Sequence, residues 1–389
     1  MQLPGPDEAY VLFDDARVRG GAPARLYRDP VGTVTAHDPA DVQSALDRIA
    51  DAREAGLHVA GFMAYEAGYA LEPRLGRMMA KRSRPAGPLL WFGLFEGVRF
   101  LAPGELPGLL PDGAGHRPGP LRPMITEAAY RAAFARVQDL IGAGDIYQVN
   151  LTFPCEIDLP GDPLAHYAAI RPRAAAGYGG VVRTGERTIL SFSPELFFTH
   201  VRGQLTARPM KGTATRAVDA REDEAQARQL ARDVKQRAEN LMIVDLLRND
   251  LSRVSRAGSV TVPDLFKVES YPTVHQMVST VRARMLPGLS TVDVLRVLFP
   301  CGSITGAPKL RAMEIIDMVE PYPRGVYTGT MGWIDPEGDA AFNVAIRSVC
   351  IEDGAEAGRI GLGSGIVADS DVGAEWAECL AKGRFLSPA

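Results

Sequence analysis

Lys211 stands in "TARPMKGTAT", residues 206–215, after an apolar strand-like stretch and directly before Gly212-Thr213. A lysine is ordinarily a solvated surface charge. In a segment that otherwise reads as buried it can also be a nucleophile, because burial favours the neutral amine that attacks carbon. The stretch "TILSFSPELFFTHVRGQLTARPMKGTAT" reads as a hairpin turning at Arg202-Gly203-Gln204. A turn centred on Gly203 sets Glu195 opposite Lys211, and opposed residues share a face with Cβ atoms about 4.5–5.5 Å apart. Pro194 and Pro209 interrupt such a ladder, and a bulge there would shift it by one residue. The pair is either an inert ion pair or a nucleophile with its base. The same carboxylate that could take the proton also opposes its loss, so the resting protonation state stays open at this level.

Carboxylates form a second group. "AEWAECL" sets Glu375 and Glu378 three residues apart, on one helix face, and Glu239 sits in the helical "RAENLMIVDLL". Three glutamates suit Mg²⁺, which prefers oxygen ligands and keeps some of its waters. The plainer alternative is two solvated faces, with Glu378 paired to Lys382 one turn on. "GLGSGIVADS", with Gly363 and Gly365, allows backbone amides to approach an anion, but it lacks the dinucleotide fingerprint, which needs glycine where Ile366 stands. No G-x-x-x-x-G-K-[ST] loop occurs. Arg347 in "NVAIRSVC", Tyr327 in "RGVYTGTMGW" and His275 in "YPTVHQMVST" complete the set; an arginine in a β-like run can fork onto a carboxylate.

Regular elements must hold these groups. "ITEAAYRAAFARVQDLIGAGD" has Tyr130, Phe134, Val137 and Ile141 at helical spacing. "IYQVNLTFPCEIDL" alternates as a strand. "EDEAQARQLARDVKQRAENLMIVDLLRNDLSRV" reads as one long helix, apolar along Leu241, Val244, Leu247 and Leu251. Shorter helices follow at "STVDVLRVLF", "KLRAMEIIDMV" and "AEWAECLAKG", the last closed by Gly383 as a carboxyl-terminal cap. Hairpins mixed with helices, without βαβ alternation, predict an α+β fold rather than a doubly wound sheet. The Pro/Gly-rich "PGELPGLLPDGAGHRPGPLRP" divides the chain into an amino-terminal subdomain (1–102), a connector (103–123) and a carboxyl-terminal region (124–389).

Composition narrows the class. The 389 residues are 46% hydrophobic and 23% charged with a net charge of −4, so no polycationic face recommends nucleic acid or an anionic membrane. The amino terminus lacks a basic-then-apolar signal, and no apolar run approaches the roughly 18 residues of a membrane span. A cytoplasmic enzyme is expected. Cys155, Cys301, Cys350 and Cys379 lack C-x-x-C spacing, which argues against a zinc site or redox pair.

"KQRAENLMIVDLLRNDLSRV", "FPCGSITGAPKLRAMEIID" and "GSGIVADSDVGAEWAECLAKG" closely resemble the chorismate-utilising enzymes, a family that includes anthranilate, isochorismate, salicylate and aminodeoxychorismate synthases. The likeness runs over residues 124–385, and "GFMAYEAGYALEP" looks like the short aminodeoxychorismate synthase component I group. It implies a β-sandwich of antiparallel sheets with helices outside and the site between the sheets. Relatives that make anthranilate, isochorismate or salicylate typically carry alanine where Lys211 stands; those that aminate C4 carry K-G-T. The resemblance therefore implies amination of chorismate at C4 by ammonia, through a Lys211 adduct at C2, on the way to 4-aminobenzoate and folate. It makes Glu195 the proton shuttle, Glu239 and Glu378 ligands of Mg²⁺, and Glu375 a helper acting through water. Tyr327 and Arg347 would hold the enolpyruvyl carboxylate near the amides of Gly363 and Gly365. Gly212 and Thr213 would line the ring, and His275 would assist the departing hydroxyl. Cys301 departs from the family, which often has glycine there. None of the cysteines has G-x-C-x-G flanks and no histidine forms H-x-E, so ammonia must come free or from a separate glutamine amidotransferase subunit. The rival readings are an anthranilate synthase component I and a non-catalytic scaffold that activates a glutaminase.

Overall fold

A computed structural model of the chain describes residues 3–5, 7–17, 20–79, 86–271 and 274–386. Alternating apolar strands build two antiparallel sheets. In the first, Gly306–Ala307 borders Gln148–Asp158, followed by Ala357–Ile366, Ser348–Glu352, Arg187–Ser191, Gly179–Arg183, Tyr10–Asp14, Ala24–Arg28 and Arg99–Leu101. In the second, Met210–Thr215 borders Val274–Arg284, followed by Gln204–Arg208, Leu196–Val201, Ala340–Asn343, Thr330–Ile334, His58–Met63, Leu90–Phe95 and Gly32–Ala36. Strands from before residue 102 thus lie in both sheets beside strands from the carboxyl-terminal region. The 103–123 stretch contributes a short turn of helix at Leu106–Gly108 and joins the first sheet where Arg122–Pro123 pairs with Glu156 and Cys155.

Side-chain alternation assigns the faces. Val11, Val182 and Ile189 of the first sheet form one buried cluster with Ala60, Phe62, Trp91 and Met331 of the second, so these residues fill the space between the sheets. Their strand neighbours Tyr10, Leu12, Val59 and Met63 turn the other way, into the larger core shared with the helices. The result is an α+β sandwich with helices outside.

Helices form where apolar spacing and caps agree. Thr126 caps Glu127–Gly142 by accepting the Ala129 amide, and the helix buries Tyr130, Phe134, Val137 and Leu140, the last in place of the expected Ile141. Val372–Lys382 starts at Asp371, which accepts the Ala374 amide; Gly383 follows with φ −82°, a right-handed close rather than a left-handed cap. The expected single long helix is two, Ala220–Arg232 and Val234–Ser252. Asp233 is extended between them and caps the second by accepting the Gln236 amide, a break that an unbroken polar stretch conceals. The buried stripe of the second helix is Ile243, Val244, Leu247 and Leu251, while Leu241 is exposed. The four cysteines are free thiols, and among the described residues no helix is long and apolar enough to cross a membrane.

Candidate active site

The hairpin turns at Arg202-Gly203, both in left-handed conformation, with Val201 opposite Gln204. A bulge then brings Leu196 opposite Arg208, the last pair of that ladder. Pro209 has no amide to extend it. The chain leaves Leu196–Val201 there and continues along Val274–Arg284, with Met210 opposite Val278 and Thr213 opposite Gln276. Lys211 is therefore not the cross-strand partner of Glu195, and the register inferred from the turn is corrected. The two act on one another as charges within the same sheet instead. Burial pushes the Lys211 amine below the ordinary lysine range, helped by the Lys382 ammonium and opposed by Glu239, Glu195 and Glu378. Burial pushes Glu195 up to about 7, against the pull of the Ser303 hydroxyl, Lys211 and Lys382. Glu195 is buried, and its Oε1 has no hydrogen-bond partner among the described residues.

Lys211 reaches the opposite sheet. Its Nζ lies 3.1 Å from where a Cβ on Gly365 would stand, and Gln148 Nε2 lies 2.8 Å from the same point. Glycine at 365 leaves room for both side-chain ends to lie on the backbone of the strand. Gln148 is 1% exposed, and neither its amide nitrogen nor its oxygen has a partner among the described residues. The backbone behind Lys211 is tied down: its carbonyl accepts from Asn240 Nδ2 at 3.4 Å, the Gly212 carbonyl from Gln276 Nε2 at 2.9 Å, and the Thr213 amide donates to Gln236 Oε1 at 3.1 Å. Thr213 Oγ1 donates to Gln276.

Gly363 and Gly365 pair with Thr152 and Asn150. Thr152 and Asn150 send their amides the other way, to Glu320 and to the Thr305 carbonyl. At such non-hydrogen-bonded pairs the glycine amides also turn outward, toward the edge where Ser348–Glu352 pairs only as far as Ile360. The Gly363 carbonyl, on that same edge, accepts from Lys382 Nζ at 2.9 Å. Arg347 precedes Ser348 in a left-handed conformation (φ 51°), which takes the chain out of the ladder and leaves the edge open. Burial alone lowers the Arg347 pKa, with no carboxylate acting against it. The Tyr327 ring lies directly on Gly361 of the same strand. Outward backbone amides suit a carboxylate ligand, and a guanidinium such as that of Arg347 can fork onto one.

The carboxylates line another wall. Glu239 projects from Val234–Ser252, where burial raises its pKa, opposed by Lys211 and Lys235 and reinforced by Glu375 and Glu378. Glu375 accepts from Ser370 Oγ at 2.7 Å. Glu378 pairs with Lys382 at 2.8 Å; burial works to raise its pKa, but Lys382, Lys211 and Lys235 hold it below the usual range. The donor set is all oxygen, and Glu239 carries a demand for positive charge, so the chemistry fits Mg²⁺. Among the described residues no three acidic side chains stand close enough to hold an ion unaided. An ion here would need water and substrate oxygens as well, as Mg²⁺ commonly does.

His275 is buried, with Nδ1 on Ser270 Oγ at 2.8 Å and Nε2 on Asp223 Oδ1 at 3.0 Å. Both ring nitrogens are thus engaged near helix Ala220–Arg232. Cys301 lies near Glu195; burial pushes its thiol up to about 12, so it stays protonated. Sequence reasoning missed Gln148, Ser303 and the reach of Lys382 to Gly363. The first two had a faint signal, a polar residue at a position that strand or loop packing buries.

The family model described as chorismate binding enzyme matches residues 8–388. Aminodeoxychorismate synthase component 1 of Salmonella typhimurium is 43% identical over 265 residues, 68% of this chain and 58% of that protein. Anthranilate synthase component 1 of Streptomyces coelicolor is 40% identical over 266 residues, 68% of this chain and 52% of that one. The chain thus matches little more than half the length of these curated relatives. A solved anthranilate synthase component I from Streptococcus pneumoniae superposes with TM-score 0.78 at 24% identity, over 95% of this chain and 93% of that one. A putative 2,3-dihydroxybenzoate-specific isochorismate synthase from Bacillus anthracis does so with TM-score 0.78 at 21% identity, over 98% and 96%.

Proposed function

Because this chain belongs to the family of chorismate binding enzymes, we propose that it aminates chorismate at C4, giving 4-amino-4-deoxychorismate for 4-aminobenzoate and folate synthesis. The observation that carries this reading is Lys211, an amine with a depressed pKa whose Nζ stands against Gly365 inside the cleft. Relatives named as aminodeoxychorismate synthase component 1 and as anthranilate synthase component 1 are both similar to the chain. A lysine poised for attack favours the first.

In this mechanism Glu195 takes the proton of Lys211 and delivers it to the leaving hydroxyl. Lys211 Nζ bonds to C2, both ring double bonds shift from C1=C2 and C5=C6 to C1=C6 and C4=C5, and the C4 hydroxyl departs as water. Ammonia then bonds to C4, both double bonds shift back, and the C2–N bond breaks to release Lys211 as the amine, the proton shed by the new C4 amine returning to the Lys211–Glu195 pair. The new amino group lies para to the ring carboxylate. Arg347, Tyr327 and the amides of Gly363 and Gly365 hold the enolpyruvyl carboxylate, while Gly212 and Thr213 line the ring. Glu239 and Glu378, with Glu375 through water, would hold Mg²⁺, which when bound anchors the ring carboxylate and draws electron density toward it. His275 has no free ring nitrogen in the present arrangement, so any help it gives the departing hydroxyl requires Asp223 or Ser270 to release it. Ammonia is supplied by a separate glutamine amidotransferase.

The test is product identity. Purified protein with chorismate, Mg²⁺ and ammonium should yield 4-amino-4-deoxychorismate, which a lyase converts to 4-aminobenzoate. Anthranilate as the main product would overturn the assignment. Lys211→Ala should lose amination at C4 while retaining Mg²⁺-dependent chorismate binding; unchanged turnover would remove the lysine from the mechanism.

A further inference from the structure

Along residues 150–152 the strand Gln148–Asp158 has no paired strand on its outer side, where the Asn150 amide donates to the Thr305 carbonyl at 2.8 Å. Gly306–Ala307 ends its pairing at Val149, and Arg122–Pro123 begins only at Cys155. Two side chains supply part of the missing ladder. Arg324 Nη2 donates to the Asn150 carbonyl at 2.6 Å, and the Thr152 amide donates to Glu320 Oε1 at 2.8 Å. The same two groups form a bidentate pair, Nε to Oε2 at 2.8 Å and Nη2 to Oε1 at 2.7 Å. Arg324 Nη1 also donates to the Ile304 carbonyl at 2.9 Å, and its guanidinium lies 4.5 Å from the centre of the Tyr65 ring. Behind it, Glu66 accepts the amides of Arg324 at 2.7 Å and Gly325 at 3.0 Å.

Three segments that carry cleft residues converge on this node. Gln148 is two residues from Asn150, Ser303 adjoins Ile304, and Tyr327 is one helical turn's worth of chain beyond Arg324. Arg324 and Glu320 are 8% and 6% exposed, and Glu66 is fully buried. A buried ion pair adds little stability over an apolar replacement, whereas a planar fork held on both sides fixes directions closely. Geometry is what the pair contributes.

We propose that Glu320 and Arg324 are positioning residues for the substrate cleft: they stand in for an absent strand along Asn150–Thr152 and set Gln148 and Tyr327 relative to one another. The proposal rests on the reading of this cleft as the chorismate site. Lys211 belongs to the other sheet, so losing the fork should weaken substrate binding more than it slows chemistry.

Arg324→Lys retains the charge and removes the fork. It should raise KM for chorismate more than threefold, with a smaller fall in kcat. Arg171→Lys, at the buried Asp14–Arg171 pair, is the control and should lower the thermal midpoint without moving KM. A KM within threefold of the wild type in folded Arg324→Lys protein overturns the proposal. KM is read on chorismate consumption whatever the product, so a wrong product assignment leaves this test standing. Hydrogen exchange on the unaltered protein gives an answer that does not require the variant to fold. The amides of Thr152 and Gly325 should exchange as slowly as those of the paired strand Ala357–Ile366, and exchange at solvent-like rates would equally overturn the idea.

Discussion

Lys211 and Glu195 share an environment that disfavours charge on both. Burial lowers the amine and raises the carboxyl to about 7, so the two proton affinities are brought closer together than those of a free lysine and glutamate. Catalysis needs one proton on the pair, and turnover should fall on both sides of an optimum. Glu195→Gln should remove the limb near pH 7 and lower kcat by about 10²–10⁴-fold, the usual range for a lost acid–base group; a pH–rate profile of the variant checks this. The same shift has a stability consequence. An acid raised from 4.5 to about 7 on folding contributes stability that is intact below pH 4.5 and lost as pH rises through 7. Glu195→Gln should therefore stabilise the fold at pH 8 by up to about 3 kcal/mol and leave it unchanged at pH 4. Urea melts at the two pH values would expose an error as equal midpoint shifts.

At the scale of elements, strand Ala357–Ile366 matters for what it lacks. Glycine recurs along its inner face at 361, 363 and 365, so side chains from elsewhere can lie on its backbone while the outward amides stay open to an anion. In Gly365→Ala the new methyl would meet Gln148 Nε2 at 2.8 Å and Lys211 Nζ at 3.1 Å. Both are ends of side chains that can move aside. The fold should thus hold, with a thermal midpoint within a few degrees of the wild type, while kcat/KM drops at least tenfold because the amine is displaced. A steady-state assay with a thermal melt separates the two effects, and wild-type kcat/KM would remove Gly365 from the cleft floor. Helix Val234–Ser252 acts in the opposite sense: its Gln236 and Asn240 hold the backbone around Lys211 from behind.

At the scale of the molecule, the buried amine of Lys211 comes from one sheet and the open amide edge of Gly363 and Gly365 from the other. Neither half of the sandwich can assemble the site alone. Strands from the first hundred residues lie in both sheets, so their packing governs the separation of those two walls. No glutaminase elbow appears in the sequence. The purified chain should accordingly turn over chorismate with ammonium but not with glutamine, until a glutamine amidotransferase is added. Product formation from glutamine alone would sink this expectation.

Local chemistry was legible in the amino-acid order. Helical spacing located the helices around Val137 and Glu375, alternation located the strand after Gln148, and residue types offered Lys211 with Glu195 and the three glutamates as separate candidates that the family resemblance joined. The register of Leu196 against Arg208 was not legible, because a bulge and two prolines moved the ladder by amounts that symmetry about Gly203 does not contain. Nor was the break at Asp233, where a side chain caps a new helix inside an unbroken polar stretch. The approach of Lys211 to Gly365, the orphaned amide of Gln148 and the Glu320–Arg324 substitute for a strand arise between residues more than 100 positions apart. Sequence constrains what each residue can do within a turn or a strand. Which distant groups share a low-dielectric space, and therefore which of them give up a proton, follows only from packing the two sheets together.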